Sequence, residues 1–146
     1  MTRPPSAATV TFADGEPNGL ADLVGRLIAS NLERDPERRR LLRPAVVELS
    51  ASDAEMHATI HVAPGAVTVA NGHTTSRPHL WVRADAYDLI ELAAAPLRLG
   101  LPDVLDARGR AVLRQIARRH VRVSGLLRHP VRLTRFTRLL NVGASP

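Results

Sequence analysis

The chain has 146 residues, of which 45% are hydrophobic and 23% are charged, and it contains no cysteine. This length supports one domain with a hydrophobic core rather than two domains. Without cysteine the chain can form neither disulfides nor thiolate metal sites, so packing alone must stabilise the fold.

The formal net charge is +6 at pH 7, and all 20 basic side chains are arginines. From Arg98 onward there are 11 arginines against Asp103 and Asp106, a balance of +9, whereas the preceding part has 9 arginines and 12 acids, a balance of −3. Such a basic block attracts anionic partners, which include nucleic acids, anionic membranes and acidic proteins.

The start of the chain has no continuous apolar run of the kind that signal peptides have. No later segment approaches the roughly 18 apolar residues of a membrane span. The sequence therefore predicts a soluble cytoplasmic protein.

Residues 1–18 combine prolines with small polar residues, so we expect a flexible N-terminal tail, followed by one domain over 19–142 and a C-terminal tail over 143–146.

Asp35 and Pro36 predict a short helical turn, and the acids around the triplet Arg38–Arg40 favour a solvated face there. After Asn18, a candidate N-cap, apolar residues recur at the spacing of one helical face. They are Leu20, Leu23, Val24, Leu27 and Ile28.

Five stretches have strand character: residues 45–50, 56–62, 66–70, 79–84 and 120–125. Short turns between the first three, one of them at Pro64 and Gly65, predict consecutive antiparallel hairpins. Residue parity in the second strand separates its two faces. Met56, Ala58, Ile60 and Val62 share the predicted core face, and His57, Thr59 and His61 share the other.

Three further helices are predicted after the fourth strand. The first begins near Asp85, with Leu89 and Leu92 on its apolar face, and a loop over 96–106 follows it. The second spans about residues 108–118 and buries Leu113, Ile116 and Ala117. The last begins at Pro130, with Leu133, Phe136 and Leu140 on one face and Arg135 and Arg138 on the opposite face.

The chain contains no G-x-S-x-G, P-loop, G-x-G-x-x-G or H-E-x-x-H motif, so we predict no catalytic residue, no cofactor and no metal ligand. His57 and His61 share a strand face, but residues four apart in a strand are separated by about 13 Å, too far to share one zinc ion. Aromatic residues make up only 3% of the chain, which argues against base stacking and a dedicated nucleic-acid role.

Two stretches carry a resemblance to a known family: "GRAVLRQIARRHVRVSGLLRHPVRLTRFTRLLNV" at 109–142 and "HLWVRADAYDLIEL" at 79–92. Their order resembles the sterol carrier protein type-two domain, in particular its bacterial, actinomycete-like members, over roughly residues 20–142. Asp88, Leu89, Ile90 and Leu92 stand at matching positions. His79 stands where many members have aspartate, and the segment 95–108 is longer than in the animal carriers.

The resemblance implies a single α/β (α+β) domain with a five-stranded mixed, largely antiparallel sheet, helices packed on one face, and an apolar cavity between the layers. It also implies a lipid carrier or binding module without catalysis, while the longer segment prevents the ligand preference of the animal carriers from being transferred. The family offers no short catalytic signature, so candidate lining residues come from the helix faces. They are Leu23, Leu27, Leu89, Leu92, Leu133, Phe136 and Leu140.

Two main hypotheses follow. In the first, the protein is a non-enzymatic lipid-binding protein that holds a fatty-acyl, sterol-like or polyketide-like ligand, and Arg128, Arg132, Arg135 and Arg138 remain outside as a patch for anionic membrane head groups. In the second, it is an interaction module with a filled core, whose basic surface binds an anionic protein, membrane or nucleic acid. A third hypothesis, an enzyme of unknown type, rests only on the unassigned histidines.

Overall fold

The computed structural model describes residues 8–74, 76–94, 97–98, 101–102, 107, 110–111, 114, 121–125 and 127–141, with only the backbone described at 91–94, 97–98 and 101–102. The elements in chain order are β1 (Thr9–Phe12), α1 (Gly19–Arg34), a 3-10 helix (Pro36–Leu41), β2 (Ala45–Ala51), β3 (Met56–Ala63), β4 (Ala66–Asn71), β5 (Leu80–Ala84), α2 (Ala86–Ala94), β6 (Leu97–Arg98), β7 (Leu101–Pro102), β8 (Arg122–Ser124) and α3 (Pro130–Leu140). We call α3 the closing helix.

Within the described residues, the main sheet has six strands in the order β1-β4-β3-β2-β5-β8, and β6 and β7 form a separate two-stranded sheet. In the main sheet, three strand pairings are antiparallel, and the pairings of β1 with β4 and of β2 with β5 are parallel. All five predicted strands are present. The mixed sheet in a single α+β domain is therefore confirmed, but the predicted count of five strands was wrong.

The additional strand, β1, lies in the segment that was predicted to be a flexible tail. Thr9 pairs with Ala66 and Phe12 with Val69 in a parallel ladder. The ring of Phe12 lies so close to Gly25 of α1 that a Cβ atom there would lie 2.5 Å from it. The prediction of a flexible tail was therefore wrong for residues 9–12. These residues form a strand because they pair with β4 and pack against α1.

Helix α1 begins as predicted, since the Asn18 side chain accepts a hydrogen bond from the Ala21 N–H at 2.9 Å. Its buried side differs from the predicted stripe: Leu23 is 48% exposed. The small residues Ala21 and Gly25 are buried instead, and they let the helix approach the sheet and Phe12 closely. The whole buried stripe is Leu20, Ala21, Val24, Gly25, Ile28, Asn31 and Leu32.

Strand β3 shows the predicted alternation. Ala58 and Ile60 are fully buried, while His61 on the other face is exposed. We call the side with Ala58 and Ile60 the inner face and the opposite side the outer face. The inner face, α1 and the closing helix contribute to one continuous core.

The 3-10 helix contains a further correction, at Arg38. Its side chain was predicted to be solvated, but only 9% of the residue is exposed. Its Nη1 donates hydrogen bonds to the carbonyl oxygens of Arg138 at 2.9 Å and Asn141 at 2.7 Å. Asn31 Nδ2 donates to the Leu139 carbonyl at 2.8 Å. These donors satisfy the last carbonyls of the closing helix, which have no partner within the helix itself.

Gly125 follows β8 and has a φ of +89°, a conformation that other residues rarely adopt. A Cβ atom at this position would also collide with the backbone carbonyl of His79. The corner that leads to the closing helix therefore requires glycine for two reasons.

Other predictions extend beyond the described residues. Ala107, Arg110, Ala111 and Arg114 are helical, in agreement with the helix predicted near 108–118. The described residues do not include Leu113, Ile116 and Ala117, which were predicted to be buried in this helix. They also do not include the tail 143–146 or most of the predicted loop 96–106.

Candidate ligand site

The closing helix packs its apolar side against α1, the 3-10 helix and the inner face of the sheet. Leu133 and Phe136 are buried, with 8% and 4% of each residue exposed. Leu139, with 1% exposed, completes this side. The predicted third member, Leu140, is only half-buried and lies at the margin of the core. Leu139 therefore replaces Leu140 as the buried leucine of the last turn, where Asn31 also donates a hydrogen bond to the Leu139 carbonyl.

A small pocket lies under this helix, between it and the adjoining ends of β2 and β3. It has a volume of about 10 Å³, which is room for roughly one water molecule. Its lining combines apolar side chains with three guanidinium groups. The lining residues are Leu41, Arg43, Ala45, Val62, Arg132, Arg135, Phe136 and Leu139.

Of the six predicted lining residues whose side chains the structure describes, only Phe136 lines this pocket. Leu27 and Leu89 are half-buried, and Leu23 is exposed on the far side of α1. The side chain of Leu92 lies outside the description. Helix periodicity could not identify Leu41, Ala45 or Val62, because they come from other elements and reach the pocket only through the tertiary fold.

The four predicted patch arginines occupy two kinds of environment. Arg128 and Arg138 are exposed, whereas Arg132 and Arg135 are half-buried and line the pocket. Arg132 Nε donates to the carbonyl oxygen of Pro44 at 3.2 Å, and its Nη1 lies 2.9 Å from His129 Nδ1. Arg132 and Arg135 are therefore only partly exposed, whereas the expectation was that all four arginines remain outside.

His79 lies beside Arg132 and contacts His129, the residue that precedes the closing helix. Its Nδ1 accepts a hydrogen bond from the Val46 N–H at 2.9 Å, and its ring meets that of His129 edge to face at 5.2 Å. Burial lowers the pKa of His79, and electrostatic interaction with Arg132 and His129 lowers it further. A neutral imidazole is the form that can accept the Val46 N–H.

The outer face of the sheet carries a polar cluster that the sequence pattern did not predict. Ser50 Oγ lies 2.9 Å from His57 Nδ1 and accepts a hydrogen bond from Trp81 Nε1 at 3.1 Å. His73 Nδ1 lies 2.7 Å from Glu48 Oε1, and its ring centroid is 4.0 Å from that of His57. The cluster links β2, β3 and β5 to the loop after β4, and the Ser50 hydroxyl is buried within it, since Ser50 is only 1% exposed.

Within the residues that the structure describes, no group of three or more histidine, aspartate or glutamate side chains is placed to hold a metal ion. In the same part of the chain, no helix combines the length and the apolar character needed to cross a bilayer.

No protein-family model matches the chain, and no curated protein matches it either. Solved structures do match. One described as "UbiJ-SCP2 Ubiquinone synthesis protein" shares 17% identity over 83% of this chain and 92% of its own, with a TM-score of 0.57. Another, described as "sterol carrier protein 2", shares 10% identity over 82% of this chain and 94% of its own, with a TM-score of 0.50. The chain therefore has the sterol carrier protein type-two fold, as the sequence resemblance predicted.

Proposed function

We propose that the protein is a non-enzymatic lipid-binding or lipid-carrier protein that holds a fatty-acyl, sterol-like or polyketide-like ligand between its sheet and its helices. The observation that carries the proposal is the pocket under the closing helix, in a fold shared with a sterol carrier. The names of both structural neighbours refer to largely apolar molecules, a sterol and ubiquinone.

The lining of the pocket supports an amphiphilic ligand. Leu41, Val62 and Phe136 contribute apolar side chains to the lining, and Arg43 and Arg135 contribute guanidinium groups. An apolar chain gains about 0.8 kcal/mol for each methylene group transferred from water, so binding needs no catalytic group. The guanidinium groups are suited to a carboxylate or phosphate at the end of such a chain.

At about 10 Å³ the pocket does not hold a lipid as it stands, so we propose that the closing helix moves when a ligand enters. Its two ends are held differently. Arg38 and Asn31 donate hydrogen bonds of 2.7–2.9 Å to its C-terminal carbonyls. Its N-terminal end has no side-chain cap and is held less closely, by the 3.2 Å hydrogen bond from Arg132 to the Pro44 carbonyl and the ring contact of His129 with His79. We therefore expect the N-terminal end to lift away while the C-terminal end remains attached.

The same small volume favours a second candidate function, the interaction module with a filled core. In that case the apolar side of the closing helix only stabilises the fold, and the basic surface binds the partner. The two candidates differ in a measurable way, because only the first requires saturable binding of a free lipid.

Displacement of a fluorescent fatty acid tests the proposal. We expect saturable binding at micromolar concentrations. We expect weaker binding by the Phe136→Leu variant, because this substitution alters the lining of the pocket. Ile28→Val is the matched control, because Ile28 is fully buried in α1 and does not line the pocket. Absence of binding by the folded parent protein would reject the carrier, and equal effects of both substitutions would reject this pocket as the site.

A further inference from the structure

Two aliphatic side chains at the N-terminal end of the closing helix lie in solvent. Leu127 is 94% exposed and Val131 is 59% exposed. They are four residues apart, and the exposed Arg128 stands between them in the chain. An isolated exposed leucine is ordinary, but a pair of aliphatic side chains bordered by cations is typical of a surface that enters a membrane interface.

The helix geometry places two further arginines beside Val131. At 3.6 residues per turn, Val131, Arg135 and Arg138 fall on one side of the closing helix. Leu133 and Phe136 fall on the other side and are buried. We call Leu127, Arg128, Val131, Arg135 and Arg138 the docking face.

The positive charge of the docking face is not neutralised locally. The chain contains no acidic residue after Asp106. Among the described residues, Arg128, Arg135 and Arg138 form no ion pair with a carboxylate. The first turn of the closing helix has neither an acidic residue nor a side-chain cap, so its dipole adds positive potential at the same end.

From these observations we infer that the docking face binds the surface of an anionic phospholipid bilayer. The arginines attract the phosphate-bearing head groups, and Leu127 and Val131 enter the interface between them. A nucleic acid would engage the arginines but would leave both aliphatic side chains in water. No aromatic residue for base stacking belongs to the docking face.

The docking face lies next to the pocket, because Arg135 belongs to both. Docking brings the N-terminal end of the closing helix, and with it the pocket, to the bilayer. The inference does not depend on the proposed function, since a protein without a lipid ligand would dock in the same way.

Co-sedimentation of lipid-stripped protein with vesicles tests this inference separately from ligand binding. Vesicles of phosphatidylcholine alone are compared with vesicles of equimolar phosphatidylcholine and phosphatidylglycerol, at low and high salt. We expect binding only to the anionic vesicles, and weaker binding at high salt because added ions screen the attraction.

Two double variants examine the two components of the docking face. Arg128→Glu with Arg138→Glu reverses charges that do not line the pocket, and we expect it to weaken vesicle binding by about tenfold or more. Leu127→Ser with Val131→Ser keeps every charge, and we expect a loss of roughly tenfold. Thermal unfolding verifies that both variants are folded.

Matched controls change the same chemistry elsewhere. Arg77→Glu with Arg83→Glu alters net charge equally at two other exposed arginines, and Leu23→Ser with Ile90→Ser removes aliphatic side chains that are 48% and 51% exposed. We expect both controls to bind vesicles nearly as the parent does.

Three results would overturn the inference: no binding of the parent protein to anionic vesicles, equal losses in the charge variant and its control, or undiminished binding after Leu127→Ser with Val131→Ser. Equal losses of vesicle binding in the charge variant and its control would show that binding depends on net charge alone. Undiminished binding after the serine substitutions, together with binding to single-stranded RNA that requires Arg128 and Arg138, would identify the face as a nucleic-acid site.

Discussion

The Nη1 atom of Arg38 donates a hydrogen bond to the carbonyl oxygen of Asn141, 2.7 Å away, at the end of the closing helix. The same atom also donates to the carbonyl oxygen of Arg138. A residue from the 3-10 helix thus holds the last turn of a helix that lies about 100 residues later in the chain.

Replacing Arg38 by alanine should therefore lower the free energy of unfolding by about 3 kcal/mol, since hydrogen bonds from a charged donor contribute roughly 1.5–3 kcal/mol each. Urea unfolding followed by circular dichroism measures this change. Arg40→Ala is the control, because the Arg40 side chain is 73% exposed, and we expect a change within about 0.5 kcal/mol. Similar losses in the two variants would show that the Arg38 hydrogen bonds do not stabilise the helix.

The corner at Gly125 provides a second prediction. Gly125→Ala introduces both a positive φ for alanine and a collision with the His79 carbonyl, so we expect a loss of roughly 3 kcal/mol or more. Gly65→Ala is the control, because Gly65 also has a positive φ but nothing lies within 4 Å of the added Cβ. It should cost only about 1–2 kcal/mol. Equal losses would show that the His79 carbonyl can move away.

The sequence predicted the parts of this fold that depend on local pattern. Asn18 caps α1 as predicted, and strict alternation in β3 identified Ile60 as a core residue. Other features depend on tertiary contacts. Arg38 stands among exposed acids in the sequence, and only the arrival of the closing helix buries it. β1 is too short to be recognised as a strand from its sequence, because its pairing with β4 and its contact with Gly25 exist only in the folded protein.

The candidate site was less predictable than the fold, for the same reason. Phe136 was identified because helix periodicity shows which side of a helix is apolar. The pocket also needs Leu41, Ala45 and Val62, which belong to three other elements. Periodicity placed Leu23 on the apolar stripe of α1, but it could not show that the small residue Gly25 would determine which side of the helix meets the sheet.

The lowered pKa of His79 predicts a pH-dependent stability. In the unfolded chain His79 takes up a proton near its ordinary pKa of 6.5, whereas burial, Arg132 and His129 oppose protonation in the folded state. The unfolded state therefore binds more protons below pH 6.5 and is favoured as the pH falls. Stability should be full above this pH, decrease as the pH falls, and level off below the lowered folded pKa.

Urea unfolding of the parent and of His79→Asn, measured between about pH 5 and pH 8, tests this prediction. Asparagine keeps an acceptor for the Val46 N–H but does not titrate. We expect the variant to lose part of the decrease in stability on acidification. An unchanged pH profile would assign the decrease to other groups.

The polar cluster on the outer face supplies another prediction. Ser50→Ala leaves the Trp81 N–H and the His57 Nδ1 without their partner, so we expect a loss of about 1–3 kcal/mol in the free energy of unfolding. Ser52→Ala is the control, because its hydroxyl bonds to Asp85 at the surface, and it should change stability by about 0.5 kcal/mol or less.

Substitution of the histidines in this cluster also distinguishes a structural role from a catalytic role. Single replacement of His57 or His73 by alanine should leave the activity of the protein in cells largely intact, apart from the effect of lower stability. A large loss of a measured turnover in a variant that remains folded would instead support an enzyme.

Native mass spectrometry of the protein, purified from its own host without detergent, tests the central claim most directly. We predict a population whose mass exceeds that of the chain by one lipid, which is released on collisional activation and identified by fragmentation. Recovery of the protein only at the mass of its chain, together with no displacement of a fluorescent fatty acid at micromolar concentrations, would contradict the lipid-binding function and leave the interaction module as the explanation.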